Sequence, residues 1–148
     1  MKNKEEDYYK SLRRKINKWV KSDEGSTHKY VEYILAAPDF FYVLWQLMLD
    51  GRIPSEFKIK VGLVVAYFIS PIDFIPEAVV GPIGYLDDVA LSAGLLNNMM
   101  ENYGDIIEEH WEEVSDINIL NLIQSILKTV DNLIGRGMWD RLCDKFDI

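Results

Sequence analysis

From Val61 to Leu127 the chain carries no lysine or arginine, yet acids interrupt its apolar run at Asp73, Glu77, Asp87 and Asp88. A carboxylate among apolar side chains is costly unless it is hydrogen-bonded, paired, protonated or bound to metal. With no cation nearby in sequence, these acids need backbone N–H groups, side chains from distant segments, or an ion. That need constrains the fold more than any other feature. The 148 residues suit a single domain, and an apolar content of 49% argues against disorder.

Apolar residues recur at helical rather than strand spacing, and Asn-Gly hairpin signals are missing. The first helix is expected over about 5–21, with Tyr8, Leu12, Ile16, Trp19 and Val20 on one face and lysines and arginines opposite. Asp23-Glu24-Gly25-Ser26 reads as a linker. A second helical stretch starts near Thr27 and meets Pro38, which must end it, kink it or open a new helix. The run Asp39–Asp50 is apolar nearly all round and stops at Gly51. Helices follow over 56–69, 86–103, 105–114, 116–134 and 138–146, the fourth of these (116–134) carrying Leu120, Ile123, Leu127, Val130 and Ile134. The expectation is an all-α, compact bundle of about six or seven helices spanning 1–148. Phe40, Phe41, Trp45, Tyr67 and Phe68 should supply much of its core.

Between the 56–69 and 86–103 helices, Ser70-Pro71-Ile72-Asp73 has the form of a capping box: Ser at N-cap, Pro at the first helical position, an acid three residues on. Pro76 then allows only a single turn, and Gly81-Pro82 and Gly84 mark another. The result is a proline-containing helical hairpin near the centre of the chain. This stretch, AYFISPIDFIPEAVVGPIGYLDD from Ala66 to Asp88, resembles the core signature of the YkvA-like family, small and mostly bacterial proteins of uncharacterised function. That signature is an apolar helix, Ser-Pro-x-Asp-x-Ile-Pro-Asp, an apolar turn, and Gly-Tyr-x-Asp-Asp opening another helix. Ser70, Pro71, Asp73, Ile75, Pro76, Gly84, Tyr85, Asp87 and Asp88 match it. Glu77 stands where the family has Asp, longer by a methylene, and Ala78-Val79-Val80-Gly81 replaces the usual connector. The resemblance covers residues 55–100 and passes on no agreed activity.

Two readings of the acids compete. As structural groups, Asp73 completes the Ser70 box while Asp87 and Asp88 accept backbone N–H bonds at a helix start, each worth about 0.3–1 kcal/mol through the helix dipole. As ligands, Asp73, Glu77, Asp87 and Asp88 would converge across the turn, and oxygen-only ligands would select Mg²⁺, Ca²⁺ or Mn²⁺. Helix capping is the preferred reading. Other chemistry finds less support. His28 and His110 lie in no catalytic pattern; Ile107 stands where a Glu-x-x-His motif would need its acid, so Glu108–Glu113 reads as a solvated acidic face. Cys143, the single cysteine, allows no internal disulfide.

The net charge of −8 and the cation-free middle would repel a phosphate backbone, so nucleic acid is not an expected partner. The charge-dense N-terminus lacks a signal-peptide core, which points to a cytoplasmic chain that is not secreted. Members of the resembled family are commonly labelled multi-pass, but Val61–Ile72 would span about 18 Å as helix against about 30 Å of hydrocarbon. Peripheral contact through the basic amphipathic segment 5–21 suits an interfacial helix; docking of that face on the bundle is the favoured alternative. The functional expectation is a non-enzymatic interaction or scaffold module near a membrane. A divalent-cation protein with a hydrolytic or regulatory role, and a multi-pass membrane protein, are the alternatives.

Overall fold

The computed structural model describes residues 2–27, 29–69, 85–134 and 136–146. The described residues are helical with no strand: α1 Lys2–Val20, α2 Asp23–Ser26, α3 Val31–Leu35, α4 Ala37–Leu49, α5 Ser55–Ile69, α6 Tyr85–Trp111, α7 Ile119–Ile134 and α8 Arg136–Phe146. They form an all-α bundle. The expected hairpin over Ala66–Asp88 lies mostly outside the described residues, which resume at Tyr85.

α4 is the hub. Pro38 sits in its first turn, where its missing N–H costs nothing, so this proline opens a helix and does not kink one. Ala37, Phe40, Phe41, Val43, Leu44 and Leu47 are all buried, packed between α1, α5 and α6. Phe41 meets Phe68 edge-on at 5.8 Å and Tyr8 at 4.6 Å, and Phe40 meets Trp111 at 5.3 Å. Of the expected core aromatics, Trp45 is only partly buried, and Trp111 joins them. The Trp111 indole N–H donates to the Ile117 carbonyl at 2.7 Å, which fixes the turn between α6 and α7.

Several boundaries differ from the sequence expectation. The segment read as a linker is the short helix α2, because the Ser22 hydroxyl caps it by accepting from the Gly25 N–H. A side chain at Gly25 would overlap the Trp19 carbonyl, so only glycine lets the chain fold back against α1. The expected helices 86–103 and 105–114 follow one another without a loop in α6, two helical segments meeting at a kink at Tyr103 (φ −128°, ψ 18°), where the sequence places their boundary. In α7 the buried row is Ile119, Ile123, Ile126 and Val130, while Leu120 is exposed. The Asn118 side chain accepts the Asn121 N–H and caps a helix that starts later than expected; of the expected row, Ile123 and Val130 are buried and Leu127 packs against the core.

α1 lies on the bundle with Leu12 and Ile16 buried and Tyr8, Tyr9, Trp19 and Val20 packed alongside. Two polar ties fix it. The Tyr8 hydroxyl donates to the Phe68 carbonyl at 2.9 Å, satisfying one of the last four carbonyls of α5. Arg13 pairs with the mostly buried Asp39 at the start of α4, and the Tyr9 hydroxyl bridges both. The face that would serve a lipid surface is therefore turned onto the core. Replacing Arg13 by Met should leave Asp39 without its cation and cost about 1–3 kcal/mol. Urea denaturation checks this, and the double variant with Asp39→Asn should recover most of the loss.

Candidate functional site

Among the described residues, side-chain chemistry gathers at the buried start of α6 and at the corner where the α4–α5 turn meets the end of α6. The first contains what is described of the recognised motif. Asp87 and Asp88 are completely buried, as is Ser92 one turn on. The Asp87 carboxylate accepts the Tyr67 hydroxyl of α5 at 2.9 Å with one oxygen and the Asp88 N–H at 2.9 Å with the other. That N–H is one of the first four of α6, which have no partner within the helix. The Asp88 carbonyl accepts the Ser92 hydroxyl at 2.8 Å. Asp87 thus ties the start of α6 to the end of α5.

Tyr85 opens α6. Ser70, Pro71, Asp73, Ile75, Pro76, Glu77 and Gly84 lie outside the described residues, and so does His28. The described geometry therefore brings Asp87 together with Tyr67 and with Asp88.

The second place was not legible as a site in the sequence. Asp50, at the C-cap of α4, has a side chain only 9% exposed. Its Oδ1 accepts the backbone N–H and the Nε–H of Arg52 at 2.9 and 3.0 Å, while Oδ2 accepts from Arg52 Nη2 at 2.7 Å. The same Nη2 reaches Glu109 Oε2 at 2.8 Å. His110 stands between two acids: Nε2 lies 2.9 Å from Asp50 Oδ2, and Nδ1 lies 3.2 Å from Glu113 Oε1. Glu113 also accepts the Tyr42 hydroxyl at 3.1 Å. The sequence expectation of a solvated acidic face holds for Glu108, Glu109, Glu112 and Glu113, which are exposed. It fails for His110, which the bend and packing of α6 turn inward against Asp50. The only advance signal was an Asp-x-Arg pair and a Glu-His pair, about 60 residues apart.

Arg52 hydrogen bonding holds the Asp50 carboxyl well below the usual carboxylate range, helped by His110 against the opposing effect of burial. The same guanidinium lowers Glu109. Elsewhere, burial together with Asp140 and Asp144 pushes the Cys143 thiol up, the opposite of what a thiolate nucleophile needs.

Two measurements test these contacts. Tyr67→Phe removes a donor from a buried carboxylate and should cost about 1–3 kcal/mol in urea denaturation, more than an exposed hydroxyl would. Because the folded Asp50 and Glu109 carboxyls titrate below their unfolded values, their stabilisation is complete above about pH 4–5 and is lost as pH falls through the folded values. Arg52→Gln should flatten that acid limb; an unchanged limb would remove the cluster from the account.

Residues 58–93 match a family model described as a protein of unknown function (DUF1232), a domain that YkvA-like proteins carry. Among curated proteins, the chain is similar to the "Uncharacterized protein ORF9" of Methanothermobacter thermautotrophicus. The two are 23% identical over 112 residues, covering 75% of this chain and 73% of that protein. No solved structure matches. The matched segment takes in most of α5 and the start of α6, including Tyr67, Asp87 and Asp88, so the chain is similar there to a domain whose description assigns no activity.

Proposed function

We propose that this chain is a non-enzymatic interaction module that sits against an anionic membrane surface through the outer side of α5. One observation carries the reading. On α5 the inward side, Val61, Val64, Val65 and Phe68, is buried, yet the opposite side is also apolar. Ile59 is 66% exposed, Leu63 48% and Ile69 51%, with Ala66 exposed between them. Spacings of four and three residues put Ile59, Leu63 and Ala66 in one row, with Ile69 at its edge about 80° from Ile59. A bundle helix facing only water would carry polar residues there.

Charge selects the occupant. At about 100° per residue, Lys58 and Lys60 lie about 100° to either side of Ile59, so a lysine stands on each shoulder of the row. Lys60 also lies over the Phe57 ring, 5.6 Å from its centroid. Long cationic side chains flanking an apolar strip suit the boundary between acyl chains and negatively charged headgroups. The only acid of α5 is Glu56, in its first turn, where it complements the helix dipole. These two cations at one end of the row stand out in a chain of net charge −8. Leu49, 63% exposed at the end of α4, adds apolar surface to the same molecule. No helix among the described residues is long and apolar enough to cross a membrane, so the contact would be peripheral. The row falls within the segment that matches the family model.

Co-sedimentation tests the reading. The protein should pellet with vesicles containing phosphatidylglycerol and far less with pure phosphatidylcholine, and salt should weaken the binding. The double variant Ile59→Ser, Leu63→Ser should reduce binding at least tenfold with its helical circular dichroism intact. Failure of the wild type to pellet rejects the membrane reading. A concentration-dependent dimer lost in the same variant would assign the row to a second copy of the chain instead.

A further inference from the structure

We infer that Asp50, Glu109 and His110 form a binding site for a divalent transition-metal ion, zinc being the ion their chemistry suits best. The inference is independent of the membrane reading and concerns the opposite kind of surface. One ligand atom from each residue, two carboxylate oxygens and an imidazole nitrogen, falls within 4.8 Å of the others. Atoms that share a coordination sphere of about 2.0–2.2 Å radius must lie within roughly that spread. A mixed nitrogen and oxygen set favours zinc and its neighbours over Mg²⁺ or Ca²⁺, which prefer oxygen alone.

The groups behind the ligands are those that such a site requires. A metal-bound imidazole uses one nitrogen as ligand and donates the other N–H to an acceptor that fixes its tautomer and ring plane. His110 has that acceptor: Nδ1 faces Glu113 Oε1 at 3.2 Å, and Glu113 is itself held by the Tyr42 hydroxyl at 3.1 Å. Nε2 is then directed at Asp50. Asp50 is oriented in the same way. Its Oδ1 is held by the Arg52 backbone N–H, which leaves Oδ2 on the side of His110 and Glu109. Both ligands are therefore aimed by contacts that metal binding would keep.

The position already draws positive charge. Arg52 Nη2 bridges Asp50 Oδ2 and Glu109 Oε2, the two oxygens that an ion would take. Asp50 and Glu109 share that single guanidinium and Glu113 lies against the imidazole, so two negative charges remain when the imidazole is neutral. A divalent ion cancels them. Arg52 is 51% exposed, so its Nη2 can swing into solvent while the backbone N–H keeps Oδ1 in place. Arg52 is a competitor for the site rather than a ligand.

Thermal unfolding of the full chain, dialysed against EDTA and titrated with zinc chloride, provides the test. The melting temperature should rise saturably with one equivalent bound, by about 5–10 °C when free zinc is about 100-fold above Kd. His110→Gln should abolish the rise, Arg52→Gln should lower the apparent Kd severalfold, and Glu112→Gln, outside the cluster, should change nothing. A flat titration overturns the inference, as does a rise that His110→Gln leaves intact, which would mean adventitious binding to surface acids. Should His110→Gln fail to fold, cobalt on the wild-type chain decides: a visible d–d band displaced by one equivalent of zinc is expected, and its absence rejects the site.

Discussion

A helix that is apolar on almost every side must be covered on most of them, and α4 imposes that condition on the rest of the molecule. Phe40, Phe41, Val43, Leu44 and Leu47 are buried, so α1, α5 and α6 pack around most of it and only its Tyr42, Trp45 and Leu49 side reaches the surface. Burying a Phe or Leu side chain contributes about 1.5–3 kcal/mol, which makes this enclosure the main source of cohesion. Its one charged residue besides the terminal Asp50 is Asp39, and burial raises that carboxyl's pKa despite Arg13. The basic N-terminal helix therefore has a definite structural task. It brings a guanidinium to the place where the central helix needs one.

The cation-poor middle of the chain is reconciled with its acids in two ways. At Asp87 the partners among the described residues are a tyrosine hydroxyl and a backbone N–H, and the carboxylate is fully buried. At Asp50 and Glu109 the partner is Arg52, supplied from the α4–α5 turn and half open to solvent. The first arrangement joins α5 to α6 inside the core. The second joins the α4–α5 turn to the far end of the same long helix. α6 is thus gripped near both ends by polar contacts and along its length by apolar ones.

Much of this was legible in the sequence. The helical spacing of apolar residues fixed the fold class, Pro38 marked a break that proved to be a helix start, and Tyr103-Gly104 marked an interruption that proved to be a bend. Local patterns failed where a distant residue decides the outcome. The Ser22 cap made a helix of a segment that composition alone presents as a linker. Nothing near Glu109 and His110 announces Asp50, because three-dimensional packing brings them together. The exposed row on α5 was hidden for a different reason: an unbroken apolar run looks the same whether one side or both are buried. Of the acids that the motif contains, the two that are described, Asp87 and Asp88, are buried without residual exposure.

Because α5 is apolar on both its inner and outer sides, hydrophobicity gives it little preference for one rotation about its axis over another. A helix of that kind could roll within its groove at small cost. Two oxygen contacts in consecutive residues prevent this: the Tyr67 hydroxyl on Asp87 and the Phe68 carbonyl under Tyr8. The azimuth of α5, and with it which leucines and isoleucines meet the outside world, is set by a pair of tyrosines rather than by oil and water.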